Sequence, residues 1–241
     1  MTDLNNLVAI VTGASSGIGE GLARMLASEG VKVALAARRE NELERVAAEI
    51  RSGGGTALVV PTNMREEAHL VNLIERTQSE LGPIDILVNN AGVARHQPMH
   101  AMTMKYWDLI MAVNLRAPVF LSSRVLPGMR DRRRGFIVNI ASEAGMFVYP
   151  GMGAYAVSKH ALRVATQLIQ DENQDYGIKA WAICPGMVDT PMGADMPDGN
   201  PKNFLNVDEV VDVIRFLMKQ GDNVKLGPEI LIRTMRNPFG R

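Results

Sequence analysis

The sequence predicts an α/β fold built on a doubly wound, seven-stranded parallel sheet. Seven short apolar runs alternate with longer segments of helical period along the 241 residues. Most of these runs are apolar throughout, which is typical of parallel strands covered on both faces. Repeated strand–helix units imply crossover connections and helices on both sides of the sheet. No linker rich in Pro, Gly or Ser divides the chain, so we expect residues 1–241 to form a single domain.

The apolar runs define the predicted strands, and segments with helical spacing of apolar residues separate most of them. The strands are Leu7–Thr12, Val31–Ala37, Ala57–Pro61, Ile84–Asn89, Phe136–Ala141, Ile178–Cys184 and Glu229–Ile232. One helix is predicted over Gly153–Tyr176. Another begins after Asn206, where Glu209 three residues later completes the pattern of a capping box.

The charge and cysteine content exclude several classes of protein. Twenty-six basic and 26 acidic residues give a formal net charge of zero, so no overall field attracts nucleic acid or an anionic membrane. The single cysteine, Cys184, cannot form an internal disulfide. The first six residues lack the basic and apolar regions of a signal peptide, and no apolar run approaches the roughly 18 residues of a membrane span. We expect a cytoplasmic protein that binds neither nucleic acid nor membrane.

A glycine-rich turn, Thr12-Gly13-Ala14-Ser15-Ser16-Gly17-Ile18-Gly19, follows the first strand and precedes a helix. Its glycines let backbone approach a pyrophosphate at the positive end of the helix. The spacing G-x-x-x-G-x-G departs from the G-x-G-x-x-G fingerprint, so a tight strand-to-helix connection is the alternative interpretation. The position of the turn favours a Rossmann-type dinucleotide site.

Two arginines, Arg38 and Arg39, end the second strand. An NAD-specific site places an acidic residue near this point to bind the ribose 2′-hydroxyl. A solvated surface pair is the alternative, but the helix dipole disfavours cations at the start of the next helix. A 2′-phosphate between the arginines and the helix removes that conflict. The pair therefore predicts NADP(H) as the cofactor.

Tyr155 and Lys159 are four residues apart on a predicted helix, so their side chains share one face. A phenol with a pKa of about 10 is a poor base at neutral pH. A neighbouring ammonium and the positive charge of oxidised nicotinamide are expected to lower that pKa. Ser142 follows the fifth strand, at the edge where its hydroxyl can hold a substrate oxygen. For an isolated Tyr-x-x-x-Lys pair, the alternative is a tyrosine ring packed over a lysine stem.

The pair is not isolated, because other motifs accompany it in a fixed order. These are the glycine turn, Asn89-Asn90-Ala91-Gly92, Asn114, Ser142 and Pro185-Gly186. Together with Tyr155 and Lys159 they resemble the short-chain dehydrogenase/reductase family, in its compact form, over residues 5–232. The resemblance implies hydride transfer between NADP(H) and a carbonyl or secondary alcohol carbon, with Tyr155 as the acid and base.

The resemblance also implies roles for individual residues. Ser142, Tyr155 and Lys159 would form the catalytic triad, and Asn114 would hold a water that relays protons from Lys159. Without the resemblance, Asn114 is better interpreted as a helix cap or a satisfied core amide. The implied cofactor-binding residues, which again include Tyr155 and Lys159, are Gly13, Ser15, Ser16, Gly17, Ile18, Gly19, Arg38, Arg39, Asn63, Met64, Asn90, Ala91, Gly92, Pro185, Gly186, Val188 and Thr190.

Two departures from the family pattern matter. Asn63 stands where members commonly carry an aspartate, so we expect a weakened contact with adenine. The C-terminus runs from Ile232 to Arg241 without the usual Asp-Gly-Gly ending. A homo-oligomer is implied, through the long helices after strands four and five. The choice between a homodimer and a homotetramer stays open.

An apolar substrate pocket is expected from three segments that follow strand ends, 93–99, 143–152 and 187–201. The predicted substrate residues are Val93, Arg95, Glu143, Phe147, Tyr149, Met152, Met187 and Met192, with Met99, Met146, Val148 and Met196 adding apolar surface. Methionines adapt to irregular ligands, so a range of hydrophobic carbonyl compounds or alcohols is expected. The alternative is that these residues cap the core under a loop. Arg95, His96 and Glu143 argue against a wholly apolar site, since Arg95 could hold a carboxylate or phosphate.

Three further features are interpreted structurally. The basic run Arg130–Arg134 lies at a predicted helix C-terminus, where cations are favoured, although it could dock an acidic carrier protein. The four histidines show no ligand spacing, so no catalytic metal is predicted. Cys184 is expected to be a small buried apolar group.

Two other functions stay open: a 3-oxoacyl-thioester reductase of the fatty-acid type, and a non-catalytic NADP-binding regulatory protein.

Overall fold

A seven-stranded sheet forms the centre of the molecule, of which the computed structural model describes residues 2–194 and 199–238. Every neighbouring pair of strands is parallel. The strands are β1 (Val8–Thr12), β2 (Lys32–Ala37), β3 (Ala57–Pro61), β4 (Ile86–Asn89), β5 (Gly135–Ile140), β6 (Ile178–Pro185) and β7 (Glu229–Ile232). The predicted doubly wound, Rossmann-type sheet is confirmed, and each strand falls within two residues of its predicted bounds.

Helices cover both faces of the sheet. They are α1 (Gly17–Ser28), α2 (Glu40–Ser52), α3 (Glu67–Glu80), α4 (Met104–Met111), α5 (Ala117–Arg132), α6 (Gly153–Asn173), α7 (Pro191–Ala194) and α8 (Val207–Met218). One apolar core joins α1, α2 and α8 to the sheet, and a second joins α3 and α5 to its other face. The strands are therefore apolar on both sides, as the continuous hydrophobic runs predict.

The start of α8 and the end of α6 lie close to their predicted positions. The capping box of α8 is present, because Asn206 and Glu209 exchange side-chain and backbone hydrogen bonds. Helix α6 ends at Asn173, three residues earlier than predicted, and continues as the 3₁₀ turn Gln174–Tyr176. Gly177 then reverses the chain into β6 with φ +68, a conformation that a side chain would strain.

The strand order β3-β2-β1-β4-β5-β6-β7 creates a crevice beside β1. Strands β2 and β3 lie on one side of β1, and the next strand along the chain, β4, lies on its other side. Connections on the two sides of this point leave the sheet in opposite directions, which opens a crevice at the carboxyl ends of the strands. Residues that directly follow β1, β2, β4, β5 and β6 therefore meet along one edge.

The basic run is at the opposite, amino-terminal edge of the sheet. Arg134 and Arg132 lie 3.0 and 3.6 Å from Oδ1 of the buried Asp85, just before β4. The Arg130 guanidinium stacks 4.0 Å from the centroid of the Tyr176 ring. All five residues of the run are exposed at the C-terminal end of α5, as expected for a solvated helix end, and these three arginines also contact Asp85 or Tyr176.

One helical stretch, Met104–Arg132, is long and apolar enough to span a membrane by length and composition alone. It consists of α4, a π-helical turn at Ala112–Arg116, and α5. Leu121, Val125 and Met129 of this stretch are buried in the second core. Packing against the sheet therefore accounts for its apolar character.

Candidate active site

A cleft of about 850 Å³ opens at the carboxyl edge of the sheet. Because parallel strands end at the same edge, the cleft brings together segments that are far apart in sequence. Of the residues that the sequence suggested for a cofactor, it is lined by Gly13, Ser15, Ser16, Gly17, Ile18, Arg38, Arg39, Asn63, Met64, Asn90, Ala91, Gly92, Tyr155, Lys159, Pro185, Gly186, Val188 and Thr190. Gly19 is buried beneath the turn, where a side chain would collide with the Gly13 carbonyl and the Asn90 amide.

The glycine turn follows β1 in a conformation that requires glycine. Gly13 has φ +67, and a Cβ there would lie only 2.9 Å from the Ala91 Cα. The turn leads into α1, whose first backbone N–H groups are free to bind an anion. The backbone of residues 13–18 thus forms an open wall of the cleft.

Thr12 and Asn90 join the glycine turn to the segment after β4. The Thr12 hydroxyl accepts hydrogen bonds from the backbone N–H groups of Asn90 and Ala91, both at 3.0 Å. The Asn90 amide donates to the Thr12 and Gly13 carbonyls at 2.9 and 3.2 Å. These bonds fix the two walls of the crevice relative to each other.

Arg38 and Arg39 line the outer end of the cleft and are both exposed. Arg39 Nη2 donates to the Ser15 and Ser16 hydroxyls, each at 3.1 Å. The guanidinium is therefore aimed at the phosphate-binding turn rather than at solvent. Its charge, two hydroxyls and the start of α1 form a cradle that suits a phosphate group.

Asn63 and Met64 follow β3 and line the same end of the cleft. The Asn63 side-chain oxygen accepts a hydrogen bond from the Arg65 backbone N–H at 3.2 Å. The backbone N–H of Asn63 donates to His69 Nδ1 at 3.2 Å. The Asn63 oxygen is thus engaged in a local turn, and the weakened contact with adenine remains a prediction.

Ser142, Tyr155 and Lys159 meet at the inner end of the cleft. The Ser142 hydroxyl hydrogen-bonds the Tyr155 phenol and accepts from the Ala144 backbone N–H at 3.1 Å. Lys159 Nζ lies 5.8 Å from the centroid of the Tyr155 ring and donates to the Ile140 carbonyl at 2.6 Å. Tyr155 and Lys159 are both buried, so the three side chains form a closely packed polar group.

The residues of the protein itself raise the pKa of the Tyr155 phenol, whereas the expected lowering includes the charge of oxidised nicotinamide and remains a prediction. Burial, which disfavours the phenolate, is the main cause, and the Ser142 hydrogen bond opposes it. Burial also lowers the pKa of Lys159 to about 8, because it disfavours the ammonium. The Lys159 ammonium bonds the Ile140 carbonyl at 2.6 Å. The Tyr155 phenol is consequently held in its protonated form at neutral pH.

Asn114 lies in the π-helical turn and does not line the cleft. Its side-chain oxygen accepts from the Val93 N–H, and its amide donates to the Val93 carbonyl, both at 2.9 Å. The amide also reaches the Ser158 hydroxyl at 3.2 Å. The side chain therefore fixes the chain after β4 against α6, and the expected role in holding a water remains a prediction.

Six of the eight residues predicted for a substrate line the cleft. Of the expected residues it is lined by Val93, Glu143, Tyr149, Met152, Met187 and Met192. Arg95 and Phe147, as well as Met99, Met146 and Val148, are not among its lining residues, and Met196 lies outside the described part of the chain.

Arg95 and Phe147 are exposed for identifiable reasons. The backbone of Arg95 is held by the Tyr106 hydroxyl, which donates to its carbonyl at 3.2 Å. The Phe147 ring stacks under the guanidinium of Arg233, 5.4 Å from its centroid. The two side chains thus lie outside the cleft lining, contrary to the expected placement, and their contact with a substrate remains a prediction.

A family model described as short chain dehydrogenase matches residues 7–201. The chain belongs to the short-chain dehydrogenase/reductase family. It is thus an oxidoreductase of that family, in agreement with the motifs that carry the resemblance.

Known members resemble the chain over nearly its full length. An oxidoreductase of Staphylococcus saprophyticus is 35% identical over 97% of this chain and 99% of its own. A glycine betaine reductase of Emericella nidulans is 33% identical over 98% of this chain but only 19% of its own.

Two solved structures show the same fold. One is an alcohol dehydrogenase from the archaeon Thermococcus sibiricus in complex with 5-hydroxy-NADP, with a TM-score of 0.87, 28% identity and 98% of both chains covered. The other is a metagenomic short-chain oxidoreductase in complex with NADP, with a TM-score of 0.83, 32% identity, and 98% of this chain and 100% of that chain covered.

Two further side chains of this short-chain dehydrogenase/reductase lie at the cleft: His96, which the sequence suggested as a polar group there, and Arg233, which it did not single out. His96 lines the cleft and packs against Gly151, where any side chain would collide with its ring. Arg233 pairs with Glu143, 2.9 Å between Nε and Oε2. Arg233 directly follows β7 at the carboxyl edge, and the rule that singled out Ser142 after β5 could have singled it out as well.

The structure also shows the surroundings of Cys184 and of the possible metal ligands. Cys184 is fully buried, and burial raises the pKa of its thiol to about 11. It is the small buried group that the sequence predicts. Within residues 2–194 and 199–238, no three His, Cys, Asp or Glu side chains are clustered so as to hold a metal ion.

Proposed function

We propose that this protein is an NADP(H)-dependent oxidoreductase that interconverts a carbonyl compound and the corresponding secondary alcohol, with Tyr155 as the acid and base. The observation that carries the proposal is a single cleft with a cationic cradle at one end and Ser142, Tyr155 and Lys159 at the other. We further propose that residues 1–241 act as one cofactor-binding and catalytic domain.

The residues of the cradle fit NADP(H). Arg39 bonded to Ser15 and Ser16, with Arg38 beside it, suits the 2′-phosphate that distinguishes NADP from NAD. The two related structures that contain NADP or 5-hydroxy-NADP support this assignment. When bound, NADP(H) supplies or accepts the hydride.

The protein's own residues would manage the proton and the substrate oxygen. Ser142 would orient the oxygen beside the Tyr155 hydroxyl, which would donate a proton to a carbonyl undergoing reduction. Lys159, held by the Ile140 carbonyl, would keep positive charge close to the phenol. A phenol with its ordinary pKa of about 10 is already protonated at neutral pH. Burial raises the pKa of Tyr155 further, so the phenol is available as the acid for carbonyl reduction.

The thioester-reductase alternative receives less support. It would require a surface near the cleft mouth on which an acidic carrier could dock. The basic run lies at the opposite edge of the sheet, and two of its arginines pair with Asp85. We therefore favour a free small-molecule substrate.

We expect bulky apolar ketones to react faster than small keto acids. Val93, Met152, Met187 and Met192 give the substrate end an apolar wall, and Glu143 is the carboxylate in it. Arg233 balances the charge of that carboxylate, and the apolar contacts favour a larger, uncharged substrate over a small anionic one. Rates with NADPH across matched ketones should differ in kcat/KM by about tenfold or more. Faster reduction of the keto acids would contradict the apolar pocket and return Arg95 to consideration.

We propose a homo-oligomer that associates through α5 and α6. Val157, Val164 and Leu168 are exposed on α6 at helical spacing, next to the small Ala161, so this face is apolar. Light scattering at micromolar concentration should give a dimer or tetramer mass. Val164→Glu should at least halve that mass, because it places a charge in the apolar contact.

Gln78→Glu on the surface of α3 adds the same charge elsewhere and should leave the mass unchanged. A monomer in the unmodified protein would sink the proposed interface. An oligomer that Val164→Glu leaves intact would do the same.

A further inference from the structure

A carboxylate and a guanidinium from distant parts of the chain meet beside the cleft. Glu143 Oε2 and Arg233 Nε are 2.9 Å apart, and the Glu143 side chain is only 12% exposed. Glu143 lines the cleft directly after Ser142, whereas Arg233 comes directly after β7. The Arg233 side chain is 53% exposed, so solvent screens the pair in part, while the Glu143 carboxylate itself is largely shielded.

Three segments fix this ion pair in place. The Glu143 carboxyl packs on Gly186, where an added Cβ would lie 3.4 Å from its Cδ. The Gly186 backbone N–H donates to the Ile232 carbonyl at 2.8 Å. Arg233 also stacks over the Phe147 ring. The pair therefore cannot move away from the cleft without disturbing the loop after β5 or the end of β6.

We propose that Glu143 and Arg233 form an electrostatic positioning pair that sets how readily Tyr155 gives up its proton. The proposal rests on the proposed function, in which Tyr155 exchanges a proton with the substrate. In this arrangement Glu143 opposes loss of the proton, and Arg233 limits that effect by neutralising the carboxylate.

The charges around the two tyrosines of the cleft agree with this arrangement. Burial is the largest cause of the raised Tyr155 pKa, and the Glu143 charge raises it further. The pKa of Tyr149 is raised by burial and by Glu143, and it is lowered by Arg233. The two charges of the pair thus act in opposite directions on a phenol in the same cleft.

Other ionisable groups also face Tyr155 and have to be kept constant. Lys159 comes from α6 and Cys184 from β6. Arg163 and Glu229 act on Cys184, and His96 lines the same cleft. Variants confined to Glu143 and Arg233 leave all of these groups unchanged, so a difference between the variants reports on the pair.

The test is the pH dependence of kcat/KM for alcohol oxidation with NADP, which rises as Tyr155 loses its proton. Glu143→Gln removes the carboxylate and should shift the inflection to lower pH. Arg233→Gln leaves the carboxylate unbalanced and should shift it to higher pH. Arg233→Lys keeps the charge and should restore the original profile.

Arg236→Gln is the matched control, since it removes an equal charge from an exposed position of the same C-terminal segment. Its profile should coincide with that of the unmodified protein. Thermal unfolding of each variant identifies any that is not folded. In that event the double variant Glu143→Gln/Arg233→Gln, which removes both charges, should give an inflection at higher pH than Glu143→Gln alone or at lower pH than Arg233→Gln alone, whichever of these is folded.

Two results would overturn the positioning role. One is a pH profile in which the inflection of both single variants differs from that of the unmodified protein by no more than the Arg236→Gln control does. The other is a shift of the same sign in both, which indicates a structural effect alone. Failure of the proposed function is distinguishable, because the unmodified protein would then show no NADP-dependent turnover, or Tyr155→Phe would retain that turnover, whatever the pair does.

Discussion

Replacing Tyr155 by Phe should abolish turnover while leaving cofactor binding nearly intact. The change removes only the hydroxyl that bonds Ser142, and the ring that packs near Lys159 remains. General acid–base catalysis contributes about 10²- to 10⁴-fold, so kcat should fall by at least two orders of magnitude. The measurement is kcat with NADPH and a ketone, together with the Kd of NADPH from a binding titration.

Tyr106→Phe is the matched control, because it also removes a phenol hydroxyl. That hydroxyl bonds the Arg95 carbonyl and is not part of the cleft. The control should keep nearly full activity. If Tyr155→Phe retains more than about a tenth of the activity, Tyr155 is not the acid and base.

Changing Arg38 and Arg39 together to Gln should weaken NADPH binding far more than NADH binding. Hydrogen bonds to charged groups contribute about 1.5–3 kcal/mol each, so losing both cations should raise the Kd of NADPH by roughly 100-fold. The Kd of NADH should change little, since that cofactor lacks the 2′-phosphate. Titrations of both cofactors at fixed ionic strength measure the two effects.

The double variant Arg51→Gln/Arg76→Gln removes the same charge from helices α2 and α3, outside the cleft. Both Kd values should then stay close to those of the unmodified protein. Equal weakening of both cofactors in the Arg38/Arg39 variant would show that the arginines do not recognise the 2′-phosphate. A preference for NADH in the unmodified protein would show the same.

The sheet could be predicted because its signal is local and repeated. Runs such as Phe136–Ala141 are apolar at every position, and the helices between them have a clear period. The glycine turn was also predictable, since Gly13 adopts a backbone conformation that few other residues tolerate. The proximity of Ser142, Tyr155 and Lys159 followed from the helix spacing and from the position after β5.

The rest of the site depends on long-range contacts that no local pattern encodes. Arg233 reaches Glu143 across 90 positions of sequence, and the stacking of Phe147 on Arg233 turns that ring away from the cleft. The contribution of burial to the Tyr155 pKa was not foreseen for a similar reason. Sequence spacing shows that Lys159 is near, but it does not show the burial of Tyr155 or the bond from Lys159 to the Ile140 carbonyl.

Transfer of deuterium from NADPH to an alcohol product is the decisive test of whether this protein reduces a carbonyl compound by hydride transfer. Purified protein is incubated with an apolar ketone and NADPH carrying deuterium at the nicotinamide C4 position, in separate samples for each of its two faces. Mass spectrometry then locates the label in the alcohol. We predict that NADPH labelled on one of the two faces gives an alcohol with one deuterium on the carbinol carbon. With Tyr155→Phe we predict no product beyond background. Alcohol without deuterium from either face would contradict these predictions, as would tight NADPH binding with no reduction of any ketone or aldehyde in a broad panel.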